Sequence, residues 1–598
     1  MTATLTNRDV RAGAAALHPG LDSAALASMT ALAVAVGLWV VTLVRVDVRG
    51  MDDTGLVSIL PWTGAEALAV LALGFGGALL SRRRPKWLLV AYPLTVTALL
   101  YVTPPVVYGT PRYSWVWKHA GIVDYIERTG GVAPYIEVLP VYHSWPGFFA
   151  FNAMLTDLSG LESSVSYAAW AELFFNILTV GAAAALLRTL CNDNRTVAVG
   201  VWLFALGNWV GQGYFAPQAM TFVWYLLTLT VLLRWLPGRR AADLPVTVGT
   251  TARTRVLLMG VVLLFVYGMV TTHQLTPLVF VMVVTALAVS GRVSTRALPV
   301  FTAAAFAAWL FLGADPYTRG VLAEMISDLG ALNANVDSAL IGYENASQGQ
   351  IAVSLVTRGL TAAIGLLALA GMVASLLRGE RRWTGFALAA TPFLVTAVSP
   401  YGDEIIFRAY LFAVVGLAFF GALFLWRPGA EPTFSRVSAV VLVSTVLLGA
   451  AFVAQFGNDR QNRFTPGEVA AAEFVYGSAP PNTLLVEGSR NYPSQFENYE
   501  RFVYVALDRE PAEDLRRIVD RPAQVLRSWL SDDRYAAGYV IITRSQMAET
   551  EALGLLPGGG LRQVDRSLRS SPWFRVAFEA PGARVYVLDE NPRPRGAR

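Results

Sequence analysis

The chain has 598 residues, 55% hydrophobic and only 15% charged, with a mean hydropathy of +0.48, a formal net charge of +5 and a single cysteine. Soluble domains carry roughly a quarter charged residues, so this composition excludes an ordinary soluble protein and indicates a polytopic membrane protein. The cations sit mostly in short loops between apolar runs, where positive-inside topology accounts for them without nucleic acid. Lone Cys191 excludes an intrachain disulfide framework.

Residues 1–25 lack the compact charged, apolar and small-residue layout of a cleaved signal peptide, so they read as a cytoplasmic segment before a retained first span. From 26–44 to 437–453, apolar runs of spanning or near-spanning length recur about thirteen times. Among the shorter ones are 197–206, 277–289, 298–312 and 384–398. The basic connections Arg82-Arg83-Arg84-Pro85-Lys86, 234–255, 292–296, 378–382 and 427–436 alternate with longer, less basic ones. That bias places the N-terminus in the cytoplasm and the C-terminus outside a bacterial plasma membrane. Abundant Ala, Gly, Val and Arg fit a GC-rich bacterial genome.

The outer connection 104–162 organises the reading. It holds two of the four histidines, one of the two lysines and many aromatic residues, which argues against disorder in so long a loop. Residues 114–128 have helical periodicity, ended by Gly130-Gly131. A Trp- and Tyr-rich helix of this kind suits the membrane surface. Asp124 or Glu127 is a candidate general base there, with Lys118 and His119 meeting a phosphate or a sugar hydroxyl. The plainer reading pairs Asp124 with Arg128 at i,i+4. Tyr142-His143-Ser144-Trp145-Pro146-Gly147 follows, where Pro146 places His143 just before a helix start. Trp145 offers a ring to a sugar C–H face, or joins an interfacial aromatic belt.

Three further outer turns carry polar groups. Asn208 to Gln218 contributes Tyr214 and Gln218, and Thr271 to Pro277 contributes His273 and Gln274. A histidine at membrane depth is costly unless it faces protein or water, so His273 is either functional or a satisfied packing residue. Tyr401-Gly402-Asp403-Glu404-Ile405-Ile406-Phe407-Arg408 places two carboxylates and an arginine at the mouth of two spans. Arg408 can fork a lipid phosphate while Glu404 orients it, or the two form an i,i+4 ion pair. Asp403 joins them as a substrate-binding candidate. Asp52-Asp53 is a second carboxylate pair, read as a base or as a turn.

No Walker or Rossmann glycine pattern, Gly-x-Ser-x-Gly elbow or Cys/His zinc spacing is present, so no cofactor is implied and no motif supports a divalent cation. Beyond 457 the chain turns charged. Residues 483–486, 502–505, 539–543, 574–578 and 584–588 read as strands, and 522–530 and 545–553 as helices, giving an α/β domain over 457–598. The segments then divide into 1–25, a transmembrane domain over 26–456 with a second outer loop at 313–350, and that domain.

Trp-Lys-His-Ala-Gly-Ile-Val-Asp-Tyr-Ile, a Gly-Gly break and His-Ser-Trp-Pro-Gly-Phe-Phe before a span resemble the first outer loop of the GT-C superfamily of integral-membrane glycosyltransferases. The whole chain also looks like a group of actinobacterial polytopic membrane proteins carrying Trp-Pro-Gly-Phe-Phe, Tyr-Phe-x-Pro-Gln, His-Gln-Leu-Thr-Pro and Tyr-Gly-x-Glu motifs. The resemblance implies an α-helical, GT-C-like bundle and transfer of a sugar from a polyprenyl-phosphate donor to an extracytoplasmic glycan or glycolipid acceptor in cell-envelope biogenesis. In such enzymes a carboxylate early in the first outer loop deprotonates the acceptor. This chain has Arg112-Tyr113-Ser114-Trp115 there, which leaves Asp124, Asp52, Asp53 or Glu404 for that role. The alternatives are a glycan polymerase or ligase using a diphosphate-linked oligosaccharide, with His and Arg as its key groups, and a transporter or flippase.

Overall fold

A computed structural model of the protein describes residues 22–82, 86–320, 345–398, 404–557 and 559–589. Residues 1–21, the Arg83-Arg84-Pro85 turn, most of the second outer loop, Asp403 with its neighbours 399–402, and the C-terminal tail lie outside the described residues.

All thirteen apolar runs are helical, but not all are of spanning length. Eight helices are long and apolar enough to cross a membrane, from Ser23–Arg45 to Phe434–Asn462. Three more, Leu275–Val289, Leu298–Gly313 and Trp383–Ala397, are shorter. The last two lose regular α geometry partway: Leu298–Ala308 opens into a π-turn over Trp309–Gly313, and Trp383–Ala390 tightens into a 3-10 turn over Thr391–Ala397. Asn194–Gly207 and Pro217–Trp235 are largely buried inside the bundle.

Tryptophans anchor the bundle core, and their polar tips find hydroxyls as an apolar surround requires. Trp202 stacks on Phe75 with centroids 4.6 Å apart and donates to Ser444 at 2.9 Å. Trp39 donates to Thr103 at 3.0 Å. The basic connections gather at one end of the bundle. There Arg195 donates to the Ser81 carbonyl at 2.7 Å and lies over Trp426, and Arg292 pairs with Asp243. At the other end Arg463 donates to the Val48 carbonyl and Ser347 to the Ala552 carbonyl, so the connections at that end meet the C-terminal domain.

That domain is a five-stranded sheet in the order β2-β1-β3-β5-β4, with β1 Thr483–Glu487, β2 Phe502–Ala506, β3 Ala537–Thr543, β4 Phe574–Ala580 and β5 Ala583–Leu588. β1 pairs in parallel with β2 and β3, whereas β5 is antiparallel to β3 and β4. Strand alternation splits β1 between two cores. Leu484 and Val486 pack with Val540, Leu526 and Val564, while Leu485 packs with Val475, Ile541 and Val585 on the opposite face. No flexible linker joins sheet domain to bundle. The last bundle helix runs into Asp459, which is fully buried and accepts from Arg112 Nη1 at 2.9 Å. Arg112 also forks onto Glu172 at 2.9 Å and Tyr108 donates to Asp459, so one buried arginine ties two carboxylates from two parts of the chain.

Candidate functional site

The helix read over 114–128 is present as Ser114–Thr129, capped by Gly130 in the left-handed region. Its residues Val116 through Val123 are all buried. The β1–β2 connection lies across it. Phe496 meets Trp117 edge-on at 5.2 Å, and the Gln495 carbonyl passes so close to Gly121 that a Cβ there would fall 1.8 Å from its oxygen. The helix is therefore a shared element, with one side facing the sheet domain and the other facing a cavity at the end of the bundle.

Several predicted residues belong to the sheet-domain side. Asp124 accepts from Arg128 Nε at 2.8 Å and from the Asn498 N–H at 3.4 Å, and Arg128 bridges on to Glu500 at 3.0 Å. The i,i+4 reading holds, and the pair serves domain docking. Lys118 is buried, donates to the Arg490 carbonyl at 2.9 Å and lies over Trp115. Burial pulls its ammonium down to about 8, partly offset by nearby Glu487 and Glu549. His143 accepts from the Ala133 N–H on Nδ1 at 3.1 Å, so the ring carries its proton on Nε2 and donates to the Tyr499 hydroxyl. Burial holds His143 at about 4.

The other carboxylate pair, Asp52-Asp53, also accepts from backbone. Asp52 closes a turn by accepting from the Thr54 N–H at 2.7 Å and its hydroxyl at 2.6 Å. Asp53 accepts from the Gly349 N–H at 2.9 Å in the first turn of the Gln348–Leu377 helix, where a carboxylate offsets the helix dipole. Asp124, Asp52, Asp53, Lys118 and His143 thus do not line the cavity.

The remaining candidates converge. His119, Trp145, Tyr214, Gln218, His273, Gln274 and Arg408 line one cavity of about 90 Å³, joined by Tyr142, Gln212 and Thr272, which the sequence reading did not single out.

Hydrogen bonds and ring contacts orient the groups around it. His119 Nδ1 donates to the Phe215 carbonyl at 2.7 Å, which leaves Nε2 as a lone-pair acceptor, and that atom is buried with no hydrogen-bond partner. Burial holds the imidazole at about 4, so it is neutral. Tyr214 stacks on its face at 5.8 Å and Tyr142 meets it edge-on at 4.9 Å. Trp145 Nε1 and Gln218 Nε2 are likewise buried without partners. Arg408 projects from the first turn of Ile405–Leu425, held by Glu404 and by Gln218 Oε1. Glu404 is half-exposed and pairs with Arg408. His273 Nδ1 accepts from the Thr276 N–H at 3.2 Å, which puts the ring proton on Nε2.

A second recess, of about 400 Å³ and apolar, lies between the Ala252–Thr272 and Leu298–Ala308 helices, lined by Val266, Val270, Thr271, Phe301, Trp309 and Leu312. Phe301 and Leu312 are exposed on the bundle's exterior. Thr271 lines this recess, and its chain neighbour Thr272 lines the polar cavity. Trp309 donates to the Ser144 carbonyl at 3.2 Å, tying the recess to the residue before Trp145.

Neither a family model nor a curated protein sequence matches the chain. Among solved structures it is similar to the Archaeoglobus fulgidus oligosaccharyltransferase tethered with an acceptor peptide, at 12% identity and a TM-score of 0.47, over 85% of this chain and 74% of that one. At that identity and score the likeness assigns no activity.

Proposed function

We propose that the chain is a cell-envelope glycosyltransferase that moves a sugar from a polyprenyl-phosphate donor to an extracytoplasmic glycan or lipid acceptor. One observation supports this most: a polar, arginine-bearing cavity and an apolar recess open to the bundle exterior are lined by neighbouring residues, Thr272 and Thr271, of one helix. That combination suits a lipid phosphate, with its headgroup on Arg408 and its hydrocarbon leaving past Thr271 and Trp309. The orientation in the membrane belongs to the same proposal, with the basic end in the cytoplasm and the cavity outside.

In the proposed reaction the acceptor hydroxyl attacks the anomeric carbon. The bond from that carbon to the phosphate oxygen breaks, and the phosphate leaves with the electron pair. Arg408 stabilises the charge that grows on the leaving phosphate. Trp145, Gln218 and His273 donate from the surrounding wall. His119 Nε2 takes the acceptor proton as the new bond forms. Asp124, Asp52 and Asp53 receive no catalytic role in this scheme, since none faces the cavity.

The second reading, a polymerase or ligase using a diphosphate-linked oligosaccharide, is favoured by a different fact. Among the described residues no carboxylate lines the cavity, whereas two histidines and an arginine do. Native mass spectrometry of the full chain in mild detergent separates the two. A retained polyprenyl monophosphate or its glycosylated form is the expected result, lost in Arg408→Gln. A diphosphate-linked oligosaccharide shifts the assignment to the second reading. Ordinary phospholipid alone, unchanged in Arg408→Gln, overturns both and points to transport.

A further inference from the structure

The basic end of the bundle carries a recess far from the cavity just described. It is about 1230 Å³ and lies where the connection after Pro217–Trp235, the start of Ala252–Thr272 and the turn before Leu298–Ala308 come together. Four arginines edge it: Arg239 and Arg240 from the first segment, Arg255 from the second and Arg296 from the third. Its floor is apolar, built of Ala288, Val289, Pro299 and Val300, with Val289 and Val300 also facing outward.

The segment that carries Arg239 and Arg240 is held by backbone to the turn before Leu298–Ala308. The Gly238 N–H donates to the Arg292 carbonyl at 2.8 Å, the Arg240 N–H to the Gly291 carbonyl at 3.1 Å and the Ser294 N–H to the Leu236 carbonyl at 3.0 Å. The two strands of chain lie so close that a Cβ on residue 238 would sit 2.2 Å from the Gly291 oxygen, so only glycine fits there. Positive-inside bias explains why arginines lie at this end. It does not explain why four of them, from three segments, surround one recess with an apolar floor. No carboxylate is in its lining among the described residues, and Asp243 of the same loop is taken by Arg292 and by the Thr384 N–H at 2.8 Å.

We propose that this recess binds the headgroup of an anionic phospholipid, with phosphate on Arg239, Arg240, Arg255 and Arg296 and acyl chains running down Val289 and Val300. Charge complementarity and the continuity of the apolar floor with the bundle exterior argue for a lipid. Basic pockets between membrane helices at the positive end recognise lipid phosphates in this way.

The test uses the full chain purified in mild detergent, titrated with phosphatidylglycerol, phosphatidylcholine and inorganic phosphate, and read by native mass spectrometry. Phosphatidylglycerol is expected to bind about tenfold or more tightly than phosphatidylcholine. Arg239→Ala/Arg296→Ala, and independently Arg240→Ala/Arg255→Ala, should abolish that preference. The charge-matched Arg381→Ala/Arg427→Ala, at exposed positions of the same end, should keep it. Equal binding of the two lipids overturns the proposal. So does an equal loss in all three double variants, which would indicate a diffuse field, and so does inorganic phosphate binding as tightly as the lipid, which would indicate a free-anion site.

Discussion

Arg408 and Asp124 looked alike from the sequence, since each sits four residues from an opposite charge, and their surroundings separate them. Arg408 is 9% exposed and keeps contacts with both Glu404 and a cavity residue, Gln218. Asp124 spends its carboxylate on Arg128 and Asn498 at the domain seam. Removing the Arg408 charge forfeits a charge-assisted contact worth about 1.5–3 kcal/mol, so Arg408→Gln should weaken lipid-phosphate retention about 10- to 100-fold. Asp124→Asn breaks a partly exposed pair worth about 0.2–1 kcal/mol and should leave retention unchanged. A titration of donor lipid into the three proteins reads this directly. His143 makes a pH prediction at the same scale. Its folded pKa, about 4, lies below the ordinary 6.5, so the neutral ring's contribution is full above pH 6.5 and is lost as pH falls through about 4. His119 and His273 are also pushed down by burial, so thermal midpoints of the wild type must be compared with those of His143→Gln. The wild type should lose stability faster than the variant between pH 6.5 and 4, and parallel curves would remove His143 from the seam's energetics.

At the scale of elements, periodicity and turn residues made much of the architecture legible. The 114–129 helix, its glycine stop and the five strands fall where alternation and spacing placed them, because these depend on neighbours in sequence. Span length was less legible: a polar-flanked run such as 197–206 looks like a short crossing, although its helix, Asn194–Gly207, is buried inside the bundle. Least legible was the cover on the site helix. The segment Asn491-Tyr492-Pro493-Ser494-Gln495-Phe496 has the same mix of aromatic and amide residues as the first outer loop, which was the available signal. Its docking needs long-range contacts that no local pattern encodes. Gly121 is the test of that docking. A methyl group there meets the Gln495 oxygen at 1.8 Å, and backbone on both sides leaves little room to yield. Gly121→Ala should cost about 1–3 kcal/mol or more and speed amide exchange in the β1–β2 connection, while the bundle core stays protected. Unchanged exchange in 488–501 would show that the approach is looser than described.

At the scale of the molecule, the sheet domain is a structural part of the site and not an appendage. The site helix presents His119 to the cavity and, one residue away, Lys118 to the sheet domain, where its ammonium meets the Arg490 carbonyl near Glu487 and Glu549. Tyr499 holds His143 two residues before Trp145 of the cavity wall, and Asp459 holds Arg112 two residues before the site helix begins. Both walls are therefore braced from the domain beyond residue 457. A chain truncated after Asn462 keeps every spanning helix and the Arg112–Asp459 pair, yet removes Phe496 from Trp117 and the Arg490 carbonyl from Lys118. If the domain only captured acceptor, this truncated chain would hold the donor lipid as tightly as the full chain and fail solely in transfer. If it braces the cavity, donor retention falls as well, and the exchange of the 114–129 amides rises from the level of the bundle core to that of a surface loop. The bracing contacts predict the second result. Measuring retained lipid and amide exchange on the same truncated preparation distinguishes the two, because acceptor capture has no effect on either.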